Sequence, residues 1–294
     1  MGFFKSLFGG SPSSEDKRKD EDSKNFDTLK YDGVRALKQG QFGFAIKCFT
    51  HALDIQEDLE CRDYLSQAYM HADELAPALE QLQLLGEAQP QNTAIFIRMA
   101  EVCYMMEDYD AMAAACEKAM ETDKENPIVL FNYARACNGQ GNPISAIALL
   151  TKAIALKEDF GTARLMRGDL LMKMGDIKGA TEDAEWLEQA AEGNEDVLLL
   201  VARIAEKAGD HDKAIADYGR VIDADPFCVA AFKERGAIRL AQGDTKGAEE
   251  DMRSVLELDP KMAEGVSGDY TAEGVEHKVR TAYKSVDPFG VFNG

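Results

Sequence analysis

The sequence predicts an all-α fold, a solenoid of stacked helical hairpins. Three observations carry that expectation. First, residues 195–228, EDVLLLVARIAEKAGDHDKAIADYGRVIDADPFC, return in pattern thirty-four residues later as VAAFKERGAIRLAQGDTKGAEEDMRSVLELDPKM. Second, with Glu195 as position 1, position 8 is small in every copy (Gly33, Ser66, Ala100, Ala134, Gly168, Ala202, Gly236). Position 20 is Ala45, Ala78, Met112, Ala146, Ala180, Ala214 and Ala248, with one departure. Third, position 15 carries glycine in five copies, Gly40, Gly141, Gly175, Gly209 and Gly243, against Asp73 and Glu107 in the other two. A fixed period of this length marks two-helix units that bury their apolar faces on one another.

Each unit is expected to work in the same way. Small residues at positions 8 and 20 let its two helices approach, surrounded by larger residues such as Leu198, Tyr218 and Ile222. Glycine at position 15 ends the first helix in a left-handed conformation. Asp210 and Asp212 cap or charge-stabilise the start of the second helix, and Pro226 stops it. A helix of about 14 residues is marginal alone in water, so neighbouring units must hold it.

Taken in order, residues 1–10, MGFFKSLFGG, place Phe3, Phe4, Leu7 and Phe8 on one face of a short helix. This segment reads either as a docking or interfacial membrane motif or as a frayed terminus. Its apolar run is too short for a secretory signal, and Met1-Gly2 with Ser6 also fits an N-myristoylation pattern. Residues 11–25 are dense in charge of both signs and are expected to be a disordered tether, so that 1–25 forms a tail. The units then run 26–58, 59–92, 93–126, 127–160, 161–194, 195–228 and 229–262. Pro77 and Pro143 fall near the start of second helices, where a missing N–H costs little. Trp186 is read as packing between units. Residues 263–294 leave the period. Val275, Val279, Ala282 or Tyr283, and Val286 share a face there, so a C-terminal capping helix is expected to cover the last apolar surface, followed by a tail with Phe289, Val291 and Phe292.

This register resembles that of the tetratricopeptide-repeat family, over residues 26–262. The family's proline at position 32 is present only at Pro90, Pro226 and Pro260, so the first and middle copies depart from the pattern. The resemblance implies a right-handed α-solenoid of about seven repeats whose first helices line a concave surface, with positions 2, 5, 6, 9, 12 and 13 facing into it. By that inference a peptide-binding groove is expected from Arg98, Glu101 and Tyr104, with Phe131, Asn132, Arg135 and Asn138. Leu165, Met166, Asp169 and Met172, then Leu199 and Arg203, would continue it. An amide such as Asn132 both donates and accepts, as a peptide unit does, and arginines pair with carboxylates or stack on aromatics. The bland alternative is a solvated face with its arginines paired to the chain's own acids. The family's clamp for C-terminal carboxylates is not expected, because Ile97, Glu101, Thr162 and Met166 stand where it needs other residues.

Composition narrows the partners. With 33 Lys and Arg against 53 Asp and Glu, the formal net charge is -20, which disfavours nucleic acid and anionic membranes. The six cysteines form no C-x-x-C pair and are read as small buried apolar residues of a reducing compartment, hence a cytoplasmic protein. The four histidines have no second ligand at helical spacing, and no phosphate loop, nucleophile elbow or dinucleotide fingerprint occurs. The expectation is a non-enzymatic scaffold without cofactor or metal, holding a protein or peptide partner. The alternative is a self-associating assembly factor, recruited to a membrane by its N-terminal segment.

Overall fold

The structure, a computed structural model, describes residues 14–260. The expected docking segment at 1–10 and the expected capping helix and tail at 263–294 lie outside the described residues. Among the described residues there are fourteen helices and no strand. The chain divides into two compact units, residues 1–156 and 157–294. The first unit holds α1 (Ser14–Lys38), α2 (Phe42–Ile55), α3 (Leu59–His71), α4 (Leu75–Ala88), α5 (Thr93–Met105), α6 (Tyr109–Thr122), α7 (Pro127–Gly139) and α8 (Pro143–Leu156). The second holds α9 (Gly161–Lys173), α10 (Ile177–Ala190), α11 (Glu195–Lys207), α12 (His211–Ala224), α13 (Val229–Ala241) and α14 (Thr245–Leu258). In each unit consecutive helices pair as hairpins, and each hairpin packs on the next.

Local chemistry sets the helix ends. All seven position-15 residues have positive φ, from 57° at Glu107 to 87° at Gly243. Glycine adopts this region freely, whereas Asp73 and Glu107 adopt it against Cβ repulsion. One residue further on, the side chains of Asp108, Asp176, Asp210 and Asp244 accept a backbone N–H of the following first turn. First helices are started by Asp58, Asn126 and Asn194 in the same way, with Pro127 at the opening position of α7.

Position 20 is fully buried in all seven hairpins, and Ser66, Ala100, Ala134 and Ala202 at position 8 are buried with it. The reason position 8 must be small is clearest at Gly33, where an added Cβ would lie 2.6 Å from the Phe49 ring. The departure at Met112 is absorbed by its surroundings: it packs among Ala100, Ala113, Ala115, Cys116 and Ala119, which are unusually small together. Pro77 sits in the first turn of α4 and Pro143 opens α8. Trp186 packs against the α10–α11 core, with the Arg164 guanidinium 4.4 Å from its ring. All six cysteines are free and five are buried.

Two features depart from the sequence reading. Helix α1 begins at Ser14, so residues 14–25 extend a helix where a disordered tether was expected. Glu, Lys and Arg are good helix formers, and lengthening an existing helix needs no new nucleus. Residues 21–25 are all exposed and Phe26 is buried, so the stretch 21–25 packs on nothing.

The second departure is a set of buried charges. Asp183, Asp217 and Asp251 occupy position 23 of the last three repeats and are 1%, 6% and 2% exposed. Asp183 receives Arg167 Nε at 2.8 Å and Nη2 at 2.6 Å, with Arg164 at 3.4 Å. Asp251 receives Arg235 at 3.1 and 2.6 Å and Arg239 at 2.9 Å. Arg167 and Arg235 both stand at position 7. The sixth repeat has Val201 there; Asp217 is left with the half-exposed Arg220, and its Oδ2 is buried without a partner.

Candidate functional site

First helices of successive hairpins touch one another as well as their own partners: α1 with α3 and α5 with α7 in the first unit, α9 with α11 in the second. Their outward sides therefore share a face within each pair, and the Arg98–Asp63 ion pair links α3 to α5. On the first unit, α3, α5 and α7 carry Asp63, Arg98, Glu101, Tyr104, Phe131, Arg135 and Asn138 along it, with Asn132 buried beneath.

The side chains there are ordered by specific partners. The Arg98 guanidinium pairs with Asp63 across the hairpin boundary, and Asp63 also accepts from Gln67 at 2.8 Å. Tyr104 is 40% exposed, and its ring takes the Arg135 guanidinium carbon at 3.3 Å from its centroid. The Phe131 ring lies 5.7 Å from the same carbon. Such stacking fixes the planar cation without consuming its edge donors. Arg135 Nη1 donates to Asn132 Oδ1 at 3.3 Å. Asn132 itself is 3% exposed, and its Nδ2 is buried with no hydrogen-bond partner. Ile128 on α7 and Met105 on α5 are exposed, and Asn138 lies exposed at the end of α7.

On the second unit, Leu165, Met166, Asp169 and Leu199 are half-buried, and Asp169 pairs with Lys173 at 2.6 Å. Arg203 is held by Glu234 of α13 through two bonds of 2.8 and 2.6 Å, which raises its already high pKa. The buried Tyr218 hydroxyl lies 2.6 Å from Glu206 and 2.9 Å from Glu234, and burial with these two carboxylates pushes its pKa well up. Met172 is corrected: at 4% exposure it belongs to the core, against Ala180, Leu187, Val201 and Ile204. It sits at a position that in other copies holds Tyr104 or Asn138, and its flexible thioether turns inward to fill space there.

Sequence reasoning missed Asp63, whose place at position 5 of the second repeat was one of the groove positions. It also left Tyr64 aside, which stacks on Phe49 at 5.7 Å and donates to Glu60 at 3.2 Å. The alternative reading, in which arginines of this face pair with the chain's own acids, describes Arg98 and Arg203, which pair with Asp63 and Glu234. Among the described residues, no cluster of His, Cys, Asp and Glu could hold a metal ion, and no helix is long and apolar enough to cross a membrane.

Comparison with known proteins agrees with this geometry. A tetratricopeptide-repeat profile matches residues 165–226 and 199–263. The DnaJ homolog subfamily C member 3 of Homo sapiens is 27% identical over 155 residues, 48% of this chain and 31% of that protein. Its Bos taurus counterpart is 40% identical over 65 residues, 22% of this chain and 13% of that protein. The chain thus spans about a third or less of the length of these curated relatives. Among solved structures, a tetratricopeptide repeat protein from Parabacteroides merdae has a TM-score of 0.69 at 15% identity, covering 88% of this chain and 99% of that one. PilW, a type IV pilus biogenesis factor, has a TM-score of 0.63 at 17% identity, over 76% of this chain and 97% of that one. YrrB, described as having an unusual peptide-binding site, has a TM-score of 0.51 at 16% identity, over 68% and 97%. At these identities the structural likeness speaks for the fold alone.

Proposed function

The chain belongs to the tetratricopeptide-repeat family, and from that premise we propose that it is a non-enzymatic scaffold holding an extended segment of a partner protein. The proposed seat is the first-helix face of α3, α5 and α7. One observation carries this reading: the Arg135 guanidinium packs over the partly exposed Tyr104 ring while donating to Asn132, an amide with an unused donor. A guanidinium held against a ring loses little entropy on binding, and Phe131 supplies apolar area beside it. On the second unit, Arg203 and Glu234 neutralise each other, which leaves its face less suited to polar recognition. A cytoplasmic location is part of the same proposal, supported by six free cysteines.

The test is a pull-down from native lysate with the wild-type chain and with Asn132→Ala plus Arg135→Ala. Partners that depend on the face are expected to be lost with the double variant. Recovery of the same proteins by both baits would overturn the assignment, as would light scattering that shows an obligate oligomer burying Tyr104 and Phe131.

A further inference from the structure

Three arginines stand on the two first-helix faces, and their partners differ. Arg98 is neutralised by Asp63, and Arg203 by both oxygens of Glu234. Arg135 has no carboxylate within ion-pairing distance among the described residues, although the chain carries 53 acidic side chains. Its neighbours are the Tyr104 and Phe131 rings and one neutral amide oxygen. Glu101, one turn from Tyr104 on α5, makes no ion pair with it.

Resting on the groove reading above, we infer that Arg135 and Asn132 together receive an acidic side chain, Asp or Glu, from the interior of an extended partner segment. The chemistry is that of unmet donors. A guanidinium stacked on a ring keeps its in-plane N–H groups available, and these match the two oxygens of a carboxylate. Asn132 adds the second half. Its Oδ1 is engaged by Arg135, so the amide is oriented with Nδ2 as the idle end, and a buried donor without a partner is costly. Nδ2 is shielded in the free protein, so the incoming carboxylate reaches it by shifting the Arg135 edge, which a 3.3 Å bond to a neutral oxygen holds only weakly. The cation lies against ring surface from both helices, Tyr104 on α5 and Phe131 on α7. A chain that continues in both directions uses that surface, which favours an internal side chain over a C-terminal carboxylate.

The experiment selects binders from a library of acetylated, C-terminally amidated ten-residue peptides on the full chain, with a parallel library bearing free C-termini. The wild-type chain is expected to enrich Asp or Glu at one register. Exchange of that residue for Asn or Gln is expected to weaken binding about tenfold, with a loss that grows smaller as salt is raised. Arg135→Gln should abolish the acidic preference, and Arg135→Glu should replace it by Lys or Arg at the same register, an inversion that a merely structural arginine would not produce. Binders that depend on Phe131 yet show no acidic preference would overturn this inference and leave the groove standing. Enrichment confined to free C-termini would overturn it in favour of a terminal carboxylate. If no peptide were enriched in a Phe131-dependent way, the groove reading would fall first and this inference with it.

Discussion

Removal of the Asp183 carboxylate should cost far more than removal of its repeat-mate Asp217, although both are buried aspartates at the same position of successive hairpins. Asp183 accepts two short bonds from Arg167 and a longer one from Arg164, at 1% exposure. A bond to a charged group contributes about 1.5–3 kcal/mol net, and breaking a buried pair leaves the surviving charge uncompensated, typically about 3–5 kcal/mol. Arg164 retains its stack on Trp186 in the variant, so the lower half of that range, about 3–4 kcal/mol, is expected for Asp183→Ala. Asp217 has one bond at 3.0 Å, to the half-exposed Arg220, and an unpartnered Oδ2. Losing a screened pair while releasing a buried, unsatisfied oxygen should leave Asp217→Ala within about 1 kcal/mol of the wild type. Urea denaturation followed by helical circular dichroism reads the difference. With a slope of about 2 kcal/mol per molar urea, Asp183→Ala should lower the midpoint by about 1.5–2 M and Asp217→Ala by under about 0.5 M. Amide exchange in α9 and α10 should accelerate only in the former. Equal midpoint shifts for the two variants would refute the assignment of stability to the Arg167–Asp183 pair.

Other consequences are open to measurement. Glu107 holds a left-handed conformation at φ 57° and is exposed, so Glu107→Gly should stabilise by about 1 kcal/mol and raise the melting temperature by a few degrees; a fall in Tm would show that the turn depends on its side chain. Met172→Ala should cost about 2–4 kcal/mol and half-buried Met166→Ala clearly less, so similar losses in denaturation would contradict the inward placement of Met172. Burial pushes the thiols of Cys61 and Cys116 up to about 12 and that of Cys103 up to about 11. Raised folded-state values mean that this stability is complete below the unfolded thiol value near 9 and is lost progressively as pH rises from there towards 12. Denaturation midpoints should therefore be flat in this respect up to about pH 9 and decline above it. A thiol reagent at neutral pH should label the partly exposed Cys228 well before these three, and rapid labelling of Cys116 in the native protein would contradict its burial.

The periodicity of small side chains was enough to locate the hairpins, because two helices can cross closely only where both lack bulk. The first helices begin at 59, 93, 127, 161, 195 and 229, where the register put them. The same logic explained glycine at the turns, where a positive φ is required. Glu107 and Asp73 show that the turn geometry persists without glycine, since the packing of two helices outweighs a local strain of about 1 kcal/mol. At the N-terminus, the absence of apolar residues correctly indicated no packing from 21 to 25, but helix propagation does not need packing once Phe26 anchors it. The repeating aspartate at 183, 217 and 251 was visible in the sequence. Its meaning was not, because pairing depends on which side chain stands opposite at position 7.

What the sequence determined by itself, then, was the hairpin: its length, its turn and the pairs of positions that touch within it, all set by near neighbours along the chain. Which of the exposed-looking polar residues is spoken for was decided by tertiary structure alone. Arg98 meets Asp63 thirty-five residues away, Arg203 meets Glu234 thirty-one away, and Arg135 meets an aromatic ring instead of an acid. Charges cancel through distances across space rather than separation along the chain, so only the packed helices reveal which of these three arginines meets an acid.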